Sequence, residues 1–181
     1  MNSNPLDFHT APYELFFEKE PNYSGLEKDI EVLNILTSMN NSNICVLDFY
    51  RHNYFYISPN HFFMCGYNLE DIKTKGEAIV EKIIYKEDLE NQYEMKQAVC
   101  KFFESLDIET LKQTSLFSTH RFIHKNGNVF WASNHYKPFL FDDNNKVWML
   151  LCVSNLSTKT HSLESYIEIA NTKECFIFSQ K

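Results

Sequence analysis

Glycine is scarce in this sequence: four in 181 residues, beside five prolines. So little of either excludes collagen-like repeats and flexible low-complexity chain. It also leaves few positions for loops that cradle phosphates. Neither a P-loop, a dinucleotide fingerprint nor a G-x-S-x-G elbow occurs. Basic clusters are missing as well. No stretch gathers three Lys or Arg and the formal net charge is −7, so this segment is not expected to hold nucleic acid itself. The acidity reads as a device for solubility. The N-terminal MNSNPLDFHT has no cationic start and no apolar run, which argues against a secretory signal. The longest apolar run, Val147 to Val153, is too short to span a bilayer. A cytoplasmic chain with no membrane partner is expected. No cysteine pair has C-x-x-C spacing. The five, Cys45, Cys65, Cys100, Cys152 and Cys175, most of them flanked by apolar residues, read as reduced, buried core thiols in a reducing compartment. No motif selects a nucleophile or an acid–base pair, so the chain is not expected to be an enzyme.

What is present is a core. Hydrophobic residues make up 44% and aromatics 15%, with sixteen Phe and ten Tyr, enough for one domain with extra segments. Residues 1–23 carry Pro5, Pro12 and Pro21 without a regular period. They read as an arm, with Phe8, Tyr13, Phe16 and Phe17 able to dock. Residues 24–42 read as a helix. Ser24 and Glu27 have capping-box spacing, and Leu26, Ile30, Leu33 and Thr37 recur at helical steps. Val32, Ile35, Leu36 and Met39 widen the stripe to more than half the circumference. One side is expected on the sheet and the other in a homodimer, with Leu26, Ile30 and Leu33 assigned to the interface.

Two short strands follow, residues 44–49 and 54–58, with Arg51-His52-Asn53 as the turn. After Pro59, residues 60–75 suit only short helical turns. A longer helix begins at Asp88, read as its N-cap, with Leu89, Tyr93, Val99, Cys100, Phe103 and Leu106 on one face. Three strands close the domain, at about 116–124, 129–141 and 147–155. Asn126-Gly127 reads as a two-residue hairpin turn, and Asp142 to Asn145 as the second turn. Short turns make consecutive strands antiparallel. The class is therefore α+β: a five-stranded antiparallel sheet with helices on one face, an N-terminal amphipathic helix, and a tail. In the tail, Ile167 and Ile169 alternate with Tyr166 and Glu168, which predicts a C-terminal hairpin within the linker 158–181. Both faces of the strand at 147–155 are apolar, so both should be covered.

Over residues 43–157 several motifs occur in order. They are Ile57-Ser58-Pro59-Asn60 with Cys65-Gly66-Tyr67 and Glu70-Asp71-Ile72, then Tyr85 to Leu89, then Arg121 to Gly127 with Trp131, and finally Asn155-Leu156-Ser157. This order resembles the PAS family of sensor domains. Asn126 and Asn155 stand where that family usually has Asp. Cys65-Gly66-Tyr67, His135-Tyr136-Lys137-Pro138 and Trp148 to Ser154 resemble more narrowly the sensor region of Bacteroidetes-type LuxR-family regulators. That resemblance implies control of transcription through a C-terminal helix-turn-helix, so DNA is a partner only through an output domain missing here, and the chain reads as a fragment. Two alternatives stand: a ligand-free dimerisation module, and the sensor of a histidine kinase. The hairpin in the tail, where a kinase would continue as a heptad helix, weighs against the second.

No cofactor is expected. The Asn-Cys-Arg motif of flavin-linking relatives is absent, and residues 86–106 contain no His to ligate haem. With a two-residue loop at Asn126-Gly127, paired residue numbers sum to 253 and His120 faces Ser133. His135 then lies on the same face about 7 Å away, with His124 beside it. A divalent ion there is weighed against plain hydrogen bonding and rejected. The same pairing sets Trp131 against Phe122. It puts Arg121 opposite Ala132, beside Asn134 and Tyr136, and these three are the candidate ligand-binding residues, suited to a small anion. The ligand itself is unknown.

Overall fold

The computed structural model describes residues 15–40, 43–59, 64–158 and 164–178. Helix α1 (Glu27–Asn40) leads into strands β1 (Asn43–Asp48) and β2 (Asn53–Ile57). Short helices α2 (Leu69–Lys75) and α3 (Val80–Ile83) precede the long α4 (Leu89–Glu104) and α5 (Ile108–Gln113). Strands β3 (Thr114–Ile123), β4 (Val129–Phe141) and β5 (Val147–Leu156) follow, then β6 (Ser165–Ile169) and β7 (Glu174–Ile177). All pairings are antiparallel, in the order β2-β1-β5-β4-β3-β6-β7. The tail is a hairpin, as its alternation predicts, and it does more than that. Strand β6 pairs with β3 and extends the five-stranded sheet to seven, burying Ile167 and Ile169. Among the described residues no helix is long and apolar enough to cross a membrane.

Two clusters fill the inner face. Ile72, Ile79 and Ile83 meet Tyr54, Phe122 and Ala132 in one; Met95, Val99, Phe103 and Leu111 meet Leu116, Leu150 and Ile167 in the other. The outer face at β1, β2 and β5 is covered by α1 and by residues 15–23. Leu33 is buried there among Ile44, Val46, Tyr56, Trp148 and Met149, with Leu26, Ile30, Phe17 and Tyr23 against them. Both faces of β5 are thus covered. Its simple alternation breaks near the β4 irregularity at Pro138–Phe141, so that Trp148 and Met149 both join the outer cluster.

Three local expectations are corrected. Ser24 does not cap α1; its hydroxyl donates to Asn22 Oδ1 at 2.5 Å. Asp88 stands at the N-cap of α4 as expected but makes no capping bond, because its carboxylate is taken by a residue distant in sequence. The β3–β4 loop has three residues, not two. Gly127 N donates to His124 O at 2.7 Å, and His124 N to Asn128 O at 2.8 Å. Gly127 takes a φ of +91° while Asn126 is not left-handed. This is a type I turn closed by a left-handed glycine. Paired numbers therefore sum to 252, with His120 opposite Ala132 and Arg121 opposite Trp131. A slip of one residue exchanges the faces of one strand relative to the other.

Candidate functional site

The corrected register sorts the candidate residues. Asn134 and Tyr136 lie on the inner face with Leu116, Ser118, His120 and Phe122. Arg121, expected beside them, is on the other face next to Trp131. Its guanidinium and backbone N–H both bind Asp88, the latter to Oδ2 at 2.9 Å. It also reaches Glu87 at 3.2 Å and lies over the Tyr85 ring at 4.1 Å. His120 takes the place assigned to Arg121. His120 and His135 point to opposite faces, and no group of three or more His, Cys, Asp or Glu among the described residues could hold a metal.

The inner face carries a chain of polar side chains across four elements. Gln92 of α4 meets His120 Nδ1 at 2.8 Å. His120 Nε2 faces the Asn134 amide at 3.4 Å. Ser154 of β5 donates to Asn134 Oδ1 at 2.7 Å, and its hydroxyl lies 3.5 Å from Cys152 Sγ. His120 is 2% exposed and Asn134 2%. Burial pushes the His120 imidazole down to about 4, against a smaller opposing pull from Asp88. It is neutral at physiological pH and so has one N–H and one bare nitrogen. One of the two flanking amides must then present its carbonyl oxygen to the ring. Ser118, directly opposite Asn134, has a buried hydroxyl that faces the Tyr136 phenol. Tyr136 sits beside this group, and burial holds its phenol well above the usual range.

On the outer face the rings of His135, Phe117 and Tyr166 form a row across β4, β3 and β6. Their centroids are 4.4 and 4.9 Å apart. Partial burial, with Lys137 nearby, lowers the His135 pKa. The residues assigned to a dimer interface, Leu26, Ile30 and Leu33, face the chain's own sheet. Val32, Ile35, Leu36 and Met39 are the exposed ones, at 55%, 57%, 43% and 76%.

The family model of the PAS fold matches residues 54–154, more than half of the chain. The chain belongs to the PAS fold family. Several solved structures resemble this PAS domain. One is a PAS domain from Colwellia psychrerythraea, 16% identical, with a TM-score of 0.48, covering 75% of this chain and 98% of that one. Another is the PAS domain of the fruit-fly ELK potassium channel, 17% identical, with a TM-score of 0.48, covering 72% and 98%. A third, from an HTR-like protein of Haloarcula marismortui, is 14% identical, with a TM-score of 0.44, covering 73% and 94%. No curated protein matches the chain. In this PAS domain the polar chain from Gln92 to Ser154 runs between the two inner clusters, joining the long helix to strands β3, β4 and β5.

Proposed function

We propose that this PAS domain is a binding module, not an enzyme: the cytoplasmic sensor of a transcriptional regulator, taking a small polar ligand on its inner sheet face. The observation that carries this is the buried chain Gln92–His120–Asn134–Ser154 with the Ser118 and Tyr136 hydroxyls beside it. A few convergent donors and acceptors in an apolar wall suit a small molecule. With Arg121 committed to Asp88, the face offers amides, hydroxyls and a neutral imidazole. The ligand is therefore uncharged and hydrogen-bonds through both donor and acceptor atoms. Relay follows from β5, which carries Ser154 and runs directly into Asn155-Leu156-Ser157, where Ser157 N is held by Trp131 O at 3.0 Å. A ligand that favours one arrangement of Asn134 and Ser154 would bias that exit segment. The resemblance to LuxR-type regulators supports a DNA-binding output. The hairpin β6–β7, in place of a continuous helix, disfavours the kinase alternative.

Native mass spectrometry of freshly purified protein, compared with the denatured mass, tests the ligand. A retained mass on the wild type that disappears in Asn134→Leu, with the fold intact by circular dichroism, is the expected result. Equal occupancy in both proteins would place the ligand elsewhere.

A second reading rests on a different observation. Val32, Ile35, Leu36 and Met39 follow the spacing of a helix–helix seam and are bare of cover among the described residues. A second copy of this helix offers the self-complementary stripe such a seam requires. Sedimentation at tens of micromolar should show a dimer. Val32→Asp with Met39→Asp should weaken it about 100-fold or more while the circular dichroism spectrum stays that of the folded chain, given the worth of two buried apolar side chains. A wild-type monomer would remove this reading.

A further inference from the structure

Cys45 of β1 and Cys152 of β5 stand directly opposite each other on neighbouring strands, facing the inner side. Further along the same ladder, Phe49 N donates to Trp148 O at 3.1 Å. Antiparallel ladders alternate, so counting back in twos makes Cys45 and Cys152 a hydrogen-bonded pair. In such pairs the Cα atoms lie about 5.5 Å apart. That separation lies within the range disulfides span, and the β-carbons of such a pair close by about 1 Å when the bridge forms. Ser154 Oγ lies 3.5 Å from the Cys152 sulfur. The other cysteines are placed apart from this pair: Cys65 after β2 and Cys100 in α4 are buried, and Cys175 in β7, expected in the core, is exposed because the edge strand β7 leaves it uncovered.

We propose that Cys45 and Cys152 are a redox-modification site, oxidised by a hydroperoxide to an intramolecular disulfide that joins β1 to β5. Burial opposes the Cys152 thiolate, but polar contact with Cys45, Ser154 and Tyr136 outweighs it and lowers the Cys152 pKa. The thiolate attacks the peroxide oxygen, forming a sulfenic acid and releasing hydroxide (or alkoxide), which takes up the proton Cys152 gave up. The Cys45 thiol then attacks that sulfur. The S–S bond forms, the S–O bond breaks, and the thiol proton leaves with the hydroxyl as water. With hydrogen peroxide the sum is two thiols plus one peroxide giving one disulfide and two waters. Cys45 is partly exposed, which gives so small an oxidant a way in. Cys65 is the contrast: burial pushes its thiol up to about 12, so it has little thiolate to offer. The bond would tie the strand that follows α1 to the strand that leads to the exit segment, and would close a long loop of chain.

The test treats the full chain with hydrogen peroxide, alkylates it under denaturing conditions, and maps the peptides by mass. The expected product is one Cys45–Cys152 crosslinked peptide with Cys65, Cys100 and Cys175 alkylated, returning to five alkylated thiols after dithiothreitol. The midpoint in urea should rise on oxidation and fall back on reduction. Cys45→Ala should abolish the crosslink and the rise together. Five free thiols after peroxide, overoxidation of Cys152 without a crosslink, or a crosslink through another cysteine would each overturn the assignment. The wild-type map decides even where the variant folds poorly.

Discussion

Replacing Arg121 with Met should lower the unfolding free energy by about 3–5 kcal/mol. The reason lies in Asp88, which is 0% exposed yet carries a carboxylate. Its oxygens accept the Arg121 backbone N–H at 2.9 Å and Nε at 3.1 Å, and its ion pair with the guanidinium completes the set. Methionine keeps the backbone bond and much of the packing on Tyr85 and Trp131, but leaves a buried charge without its counter-charge. Removing one partner of such a pair costs far more than the pair contributes in total. A second substitution should show this: Asp88→Asn in the Arg121→Met background should restore a large part of the loss. Urea denaturation of the four proteins checks it. Additive losses would mean the two side chains do not interact. The pair also positions the candidate site. Gln92 lies one turn beyond Asp88 on α4, and His120 adjoins Arg121 on β3, so the pair aligns Gln92 with His120.

Acid should unfold the protein earlier than its carboxylates alone would dictate, and His120 is the cause. An unfolded histidine takes up its proton near the ordinary value of 6.5, whereas the buried His120 does so only near 4. Between these limits the unfolded state binds more protons than the native state, so stability falls as pH falls. The contribution is fully present above about pH 6.5 and is lost by about pH 4, amounting to ~3 kcal/mol. His120→Gln cannot titrate. Its stability relative to wild type should improve by most of that amount between pH 7 and pH 4.5, whatever it loses at neutral pH. Parallel urea curves for the two proteins over that range would show that His120 titrates normally in the fold.

Much of the architecture is legible in the sequence because it rests on local pattern. The alternation of Ile167 and Ile169 gives the tail hairpin, and the turn residues give the antiparallel order. The site is less legible because it turns on one residue of loop length. Asn126-Gly127 suits a two-residue turn and equally a three-residue turn with only Gly127 left-handed. The second occurs, and the choice moves Arg121 away from Asn134 and brings His120 to it. A usable signal lay within β3 itself: His120 shares its parity with Leu116 and Phe122, both core residues, whatever the loop. Asp88 misled for another reason. Its position before a helix suggests a cap, but its partner lies thirty-three residues away and only tertiary structure brings it close. Helix α1 is apolar on most of its surface, so sequence could not say which stripe faces inward. The sheet selects Leu33 and Thr37, and Tyr56 reaches across to the helix, its hydroxyl 3.3 Å from that of Thr37.

Everything assigned to the inner face depends on His120 standing enclosed and neutral between Gln92 and Asn134. Nuclear magnetic resonance titration of the imidazoles reports this directly. His120 should remain a single neutral tautomer through pH 5, with a midpoint near 4 if the fold survives that far. A midpoint near 6.5 with fast exchange to solvent would show His120 open to water and contradict the site.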